Sequence, residues 1–480
     1  MRAGNSINFI IATVLDLTKC LLPRIMLVMK RASVPWVPLT LILLPIAVLA
    51  AWFVFWTPIK IKYYTMRFVD GGVAESRAAR DTLVEIGANH LNAEQRTALA
   101  ESYVEEGYEL LSSHDADAEA EDIIEGDEST TVSANNARSL GMFKKALELS
   151  PELDNSHLNV GFAYGTFGMY AAAFRNYRAE LKLRPGNFSA RFLAADAMFN
   201  LDMENEAIVF AEETASIWPG KLQAHQALID LYKWTGKYGR VEPEYRKIIS
   251  LAPDKFETRA NLAEFLYSKE IADYEVAADM IESAFQLAVP SDDNSSLQRL
   301  YCFASWANAE SERSGKALEY AEKAVALNGD ESALKCRAVA LRQLGRFAEA
   351  ARDIDNLTDK DSANDQRLYL YDAMGLVENA TSLAFQMAQE NNTAETINNV
   401  AWFFCTAKNS RNTDAAIKLA NLALTLSPGN HYYLDTYATA CFVSGRVDEA
   451  IKTEEQALAL APFNKFYKKQ LERFKKAKGN

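Results

Sequence analysis

No two cysteines of this sequence form a CxxC pair, and the five present (Cys20, Cys302, Cys336, Cys405 and Cys441) are scattered along 480 residues. That excludes a disulfide scaffold and a cysteine zinc site, and it leaves buried free thiols as the reading. Histidine is equally sparse. His90, His114, His157, His225 and His431 are too far apart for a paired metal motif such as HExxH. There is no phosphate-cradling GxxxxGK loop, no dinucleotide GxGxxG after a strand and no GxSxG nucleophile elbow. An enzyme is therefore not expected, nor is any cofactor or metal site. Basic charge is also short in most of the chain. Residues 1–67 hold eight Lys/Arg against one acid, and the rest hold 43 against 63. A body this acidic excludes general nucleic-acid binding, which needs clustered cations. Proline (13) and glycine (21) are too few for low-complexity sequence.

What is present begins with an apolar run. Val34–Trp56 has 23 residues and no charge. As a helix it would reach ~34 Å, enough for a ~30 Å hydrocarbon core. Lys30 and Arg31 fence one end, and Lys60 and Lys62 fence the other. The expectation is a transmembrane helix at 34–56. An amphipathic, basic leader at 1–33 precedes it, and a juxtamembrane helix and linker at 57–92 follow. Four Lys/Arg on the N-terminal side against three on the other tilt the positive-inside bias. They predict a single-pass protein of a bacterial inner membrane with its body periplasmic, a cytoplasmic body being the alternative.

The body carries a ruler. Pro151, Pro185, Pro219 and Pro253 are 34 residues apart, as are Pro428 and Pro462. Gly168, Gly236 and Gly445 each precede their proline by 17 residues, and Ala173, Ala207 and Ala450 precede theirs by 12. The glycine ends a first helix, where a left-handed residue is wanted. The alanine lets two helices approach, and the proline stops the second helix. A pair of helices this thin cannot bury its own apolar face, so the units must stack as a solenoid. The span is 93–464, with about nine or ten units.

These marks resemble the tetratricopeptide repeat family. Residues 160–185 supply Val160, Gly161, Tyr164, Gly168, Tyr170, Ala173, Tyr177 and Pro185, and depart at Glu180, where the family usually has alanine. The last unit supplies Gly445, Ala450, Ala457 and Pro462. The middle is degenerate: Ala317, Tyr320 and Ala324 are kept but Gly329 stands for the proline. Gly345, Phe347 and Ala350 are kept in the next unit, and Gly375 and Ala380 in the one after. Pro290 follows Pro253 by 37 residues, so one unit carries an insertion. The implied fold is all-α, a membrane helix followed by a right-handed superhelix of hairpins. An acidic insert at 114–133, with eight carboxylates, reads as a solvated loop. The helix at 465–480, rich in lysine, reads as the cap of the array.

The resemblance further implies that the first helix of each unit lines a concave face that receives peptides or helices. The residues it places there are Asn159, Phe162, Phe192, Phe199, Trp234, Asn261 and Tyr267. The basic clamp of family members that hold acidic chaperone tails is missing: Leu158, Phe162, Ser189 and Leu193 surround Asn159, and Gln226 and Asp230 precede Asn261. The expected function is a membrane-anchored scaffold or adaptor for assembly of an envelope or secretion complex, with protein as partner. A self-associating structural protein, a homo-oligomer, is the alternative.

Overall fold

The computed structural model describes residues 56–113, 120–287 and 294–479. They divide into two compact units, with the boundary between Asn187 and Phe188.

In the first unit a helix over 56–70 is followed by helix Val73–Ile86. Two hairpins come next, Ala93–Ser112 with Ala134–Leu149 and Ser156–Thr166 with Tyr170–Leu183. Ile61, Tyr64 and Phe68, at helical spacing, lay the 56–70 helix onto a core of Leu83, Leu99 and Tyr103. Asn92 and Gln95 form a reciprocal capping box at the start of Ala93–Ser112. Glycine at 107 and 161 is a packing requirement. A Cβ would meet the ring of Phe143 at 2.6 Å from Gly107, and the ring of Tyr177 at 2.6 Å from Gly161.

The second unit is eight consecutive helix pairs, from Phe188–Asn200 with Glu204–Ile217 to His431–Val443 with Val447–Leu460, closed by helix Lys465–Lys478. The alanines of the ruler are where the helices cross: Ala173 in the first unit, and Ala207, Ala317, Ala350, Ala380 and Ala450 in the second, are fully buried. Gly168 and Gly445 adopt φ of 76° and 84°, the left-handed turn between paired helices. Where the ruler loses its glycine the conformation persists on other residues, with Asp202 at 59° and Glu312 at 60°. The turn geometry is fixed by packing of the pair, and glycine is its least strained occupant. Glu180, the departure noted above, is fully buried and accepts from Arg184 Nη1 at 3.1 Å and Asn187 Nδ2 at 3.2 Å.

The chain of the second unit returns on itself near its end. The backbone amide of Lys465 donates to the Ile271 carbonyl at 2.6 Å. Phe463 packs on Tyr238 with ring centroids 6.3 Å apart. On the closing helix, Tyr467, Leu471 and Phe474 are buried, and Phe474 stacks on Phe442 at 4.4 Å.

Two expectations are corrected. The first is the single-pass membrane placement, with the body on either side: no helix among the described residues is long and apolar enough to cross a membrane. Residues 34–55 of the expected span lie outside the described residues, as does the leader. At the described end, the helix over 56–70 carries Lys60, Lys62, Arg67 and Asp70 and turns its apolar stripe to the protein core. The second is the solvated reading of the acidic insert; the helical, all-α solenoid itself stands. Strands Ala120–Glu125 and Glu128–Ser133 pair antiparallel, with Glu125 opposite Glu128. The loop between them is Gly126–Asp127, and only its first residue has positive φ (65°), as a II′ turn requires. Among the described residues, three acids of the insert have partners: Asp122 accepts from the Thr131 hydroxyl at 2.5 Å, and Glu125 and Glu128 bond outside the hairpin. Glu125 accepts from the Tyr164 hydroxyl at 2.5 Å and from Lys144 Nζ at 3.1 Å. Glu128 accepts the amides of Ala171 and Ala172 at 2.8 and 2.7 Å.

Candidate functional site

The seven residues expected on the inner face fall on first helices of their pairs. In the first unit, Asn159 is buried and its Oδ1 accepts from the Tyr108 hydroxyl at 2.7 Å. Tyr108 also meets Phe143 edge-on at 5.0 Å and lies 6.4 Å from Phe162. Asn159 and Phe162 thus belong to a cluster bridging two successive hairpins.

In the second unit, Phe192 stacks on Phe188 and Phe199 stacks on Trp234 (centroids 5.1 Å apart, rings 27° from parallel). Trp234 is nonetheless 60% exposed, so one indole surface is open. Beside it lies a cavity of about 620 Å³, lined by Trp234, Asn261, Gln226, Asp230, Lys233 and Glu264. Burial raises the carboxyls of Asp230 and Glu264 above their ordinary range. Lys233 Nζ is held by the Tyr245 hydroxyl at 3.0 Å. The recess therefore offers an aromatic wall, one amide and partly desolvated acids.

Tyr267 belongs to a second cavity, of 330 Å³, made where the chain returns on itself. Its aromatic lining is Tyr267, Tyr274, Trp402, Tyr432, Phe466 and Tyr467. Asn398, Asp435 and Glu310 add polar atoms. Asp435 and Asn398 are only 6% and 8% exposed, and Oδ1 of each has no hydrogen-bond partner in the protein. Behind Asp435 stands the fully buried Glu454, whose two carboxyl oxygens likewise have no hydrogen-bond partner. Burial is the main cause that raises both carboxyls above their ordinary range. Tyr274 and Tyr432 are pushed up to about 12, chiefly by burial and then by neighbouring carboxylates.

Of this second cavity, sequence reading found Tyr267 alone. The others come from repeats whose ruler is weak, and no spacing rule announces a contact between residues 267–274 and 431–467. Four cysteines, Cys302, Cys336, Cys405 and Cys441, are buried free thiols. Among the described residues no group of three His, Cys, Asp or Glu could hold a metal ion.

No protein-family model and no curated protein matches the sequence. Among solved structures, the chain is similar to that of Naa15/Naa10 bound to HypK-THB, at 14% identity and a TM-score of 0.33, over 71% of this chain and 63% of that one. It is similar to YrrB, a TPR protein with an unusual peptide-binding site, at 17% identity and a TM-score of 0.32, over 42% of this chain and 97% of that one. It is also similar to Pseudomonas aeruginosa pilF, at 18% identity and a TM-score of 0.32, over 44% of this chain and 94% of that one. At such TM-scores these likenesses carry no weight of their own; the solenoid of paired helices rests on the hairpins and turns described above.

Proposed function

We propose that the protein is a tetratricopeptide-type adaptor that holds peptide or helical segments of other proteins against the first helices of its repeats. The observation that carries this reading is the Phe199–Trp234 stack. A large aromatic surface is left open beside a 620 Å³ recess, with Asn261 placed to bond a peptide backbone. Exposed, rigidly stacked aromatics next to a recess are what interface anchors are made of. The seven residues named from the sequence remain the contact set of this proposal, with Asn159 and Phe162 acting through the Tyr108 cluster. The acids of the recess favour neutral or basic segments over acidic ones. The narrower reading, service to an envelope or secretion complex, draws only on the apolar N-terminal run.

The test is selection of peptides from a displayed library on the full chain, followed by titration against Trp234→Ala. Loss of at least ~30-fold in affinity is expected for an anchor of this kind. Selected peptides that bind the variant as well as the parent would sink the reading. Light scattering of the full chain at rising concentration shows whether a second copy occupies the same face.

A further inference from the structure

The 330 Å³ cavity at the return of the second unit is built for a positive charge. Its walls are six aromatic rings, whose faces attract cations. Its carboxylates are Asp435 and Glu310, and two buried acceptor atoms, Oδ1 of Asp435 and Oδ1 of Asn398, lack any protein donor. An unpaired buried acceptor is costly, so the site asks for a donor. Neutral donors would satisfy the amide. A carboxylate facing aromatic rings is better matched by an ammonium, which carries several N–H groups and no lone pair. The chain itself shows such a seating: Lys269 Nζ lies 5.1 Å from the Tyr432 ring centroid. Lys269 itself lines the cavity and Arg473 faces Asp435, but among the described residues neither makes an ion pair with Asp435 or Glu310.

We propose that this cavity binds an alkylammonium group, the side-chain terminus of a lysine in a partner segment, seated among Tyr267, Tyr274, Trp402, Tyr432 and Tyr467 and bonded by Asp435 and Asn398. The lysine source rests on the adaptor reading above; the cation site does not. A free aliphatic amine presents the same chemistry, and the experiment separates the two.

Binding should also respond to pH. Asp435 is faced by Glu454, Arg473, Cys405, Tyr274 and Tyr467. Burial raises the Cys405 thiol to about 12, and raises Tyr467 further than Tyr274. His431, which bonds the Tyr467 hydroxyl through Nδ1 at 2.9 Å, is pushed below its ordinary range by burial. Burial raises the Asp435, Glu454 and Glu310 carboxyls together, so these are the groups around the cavity that gain charge as pH rises above the ordinary carboxylate range. A bound cation favours their ionised forms, so affinity rises with pH.

The experiment is calorimetric titration of the full chain with three probes: a blocked pentapeptide carrying one lysine among alanines, its norleucine counterpart, and cadaverine. Saturable 1:1 binding of the lysine peptide, at least ~10-fold tighter than norleucine, supports the proposal. So does a ~10-fold loss on Asp435→Asn that Trp234→Ala does not reproduce. Cadaverine binding without peptide binding supports the cation site and assigns it a free amine, leaving the adaptor reading to the Trp234 test. Equal binding of lysine and norleucine peptides, or no saturation by any probe up to millimolar concentration, overturns it. Should Asp435→Asn fail to fold, the parent chain decides: lysine affinity that does not rise anywhere between pH 5 and 9 overturns the role given to Asp435.

Discussion

The side-chain amide of Asn464 donates to the backbone carbonyl of Lys269, 2.7 Å away and 195 positions earlier. The same side chain caps the closing helix, its Oδ1 accepting the Tyr467 amide at 2.9 Å. One residue therefore starts the last helix and pins it to the hairpin Phe256–Tyr267/Tyr274–Ala284. In an open stack each repeat would touch only its neighbours. Here the eighth pair and the closing helix also reach the third, and the cavity lined by Tyr267 and Asp435 exists because of that return.

Asn464→Ala removes both bonds. The cap contributes about 1 kcal/mol and the second bond about as much, so a loss of ~1.5–3 kcal/mol is expected. Asn464→Asp keeps the capping acceptor and loses the donor, so it should cost less than the alanine change. Hydrogen exchange read on residues 262–274 and 465–478 checks this: both segments should lose protection together. Faster exchange in the closing helix alone would mean that the return contact contributes little.

The repeat could be read from the sequence because its marks are local. Gly168, Ala173 and Pro185 each meet a requirement set within their own pair, a left-handed turn, a helix crossing and a stop. The pairs whose marks had decayed were still placed, since Ala317, Ala350 and Ala380 cannot be enlarged without parting the helices. The acidic insert was misread because composition was its only signal. Eight carboxylates suggest solvation, whereas Glu125 and Glu128 have partners on Lys144, Tyr164 and the start of helix Tyr170–Leu183. Nothing in the spacing foretold those bonds. The site was legible only at Tyr267, since the rest of its cavity is assembled by tertiary closure between residues far apart in sequence.

Arg80 and Glu106 form a buried ion pair at 2.6 Å in the first unit, with side chains 1% and 9% exposed. The Arg80 guanidinium also lies 3.7 Å from the Tyr103 ring centroid. Glu106→Ala leaves the buried Arg80 with the half-exposed Asp81, 3.1 Å away, and Ser102 as its polar partners, so it should destabilise the unit by ~2–4 kcal/mol, below the cost of a fully unpaired buried charge. Adding Arg80→Met should recover much of that, because the weakly paired charge is what is costly. Urea unfolding of the parent, single and double variants measures it. A double variant no more stable than the single would locate the cost in lost packing on Tyr103.

Glu312 holds φ of 60° at the turn between Asn294–Glu310 and Ser314–Leu327, where other pairs place glycine. A β-carbon in the left-handed region costs ~1–2 kcal/mol, and glycine returns part of this as unfolded-state entropy. Glu312→Gly should therefore stabilise the second unit by ~0.5–1 kcal/mol. Asp202, also left-handed, is more tolerant of that region, so Asp202→Gly should gain less. The two variants compared by thermal unfolding test the ranking, and a destabilised Glu312→Gly would show that the side chain has a role beyond the turn.

Glu125 is held below the ordinary glutamate range, first by the hydrogen bond from Tyr164 and then by that from Lys144. A carboxylate whose folded pKa is lowered contributes stability that is present above its unfolded pKa, near 4.3, and is lost as pH falls through the folded value. The side chain is 39% exposed, so solvent screening keeps the global effect small. The local effect is the informative one. Acidification from pH 6 to 3 should free the β-hairpin at 120–133 before the helices of the first unit unfold. Hydrogen exchange read separately on residues 120–133 and 156–166 follows the two events. Glu125→Gln should show the faster hairpin exchange already at pH 6, because an amide accepts the Tyr164 hydroxyl but does not pair with Lys144. Hairpin protection that persists to pH 3 in the parent chain would mean that backbone pairing and the Gly126 turn hold the strands without the carboxylates.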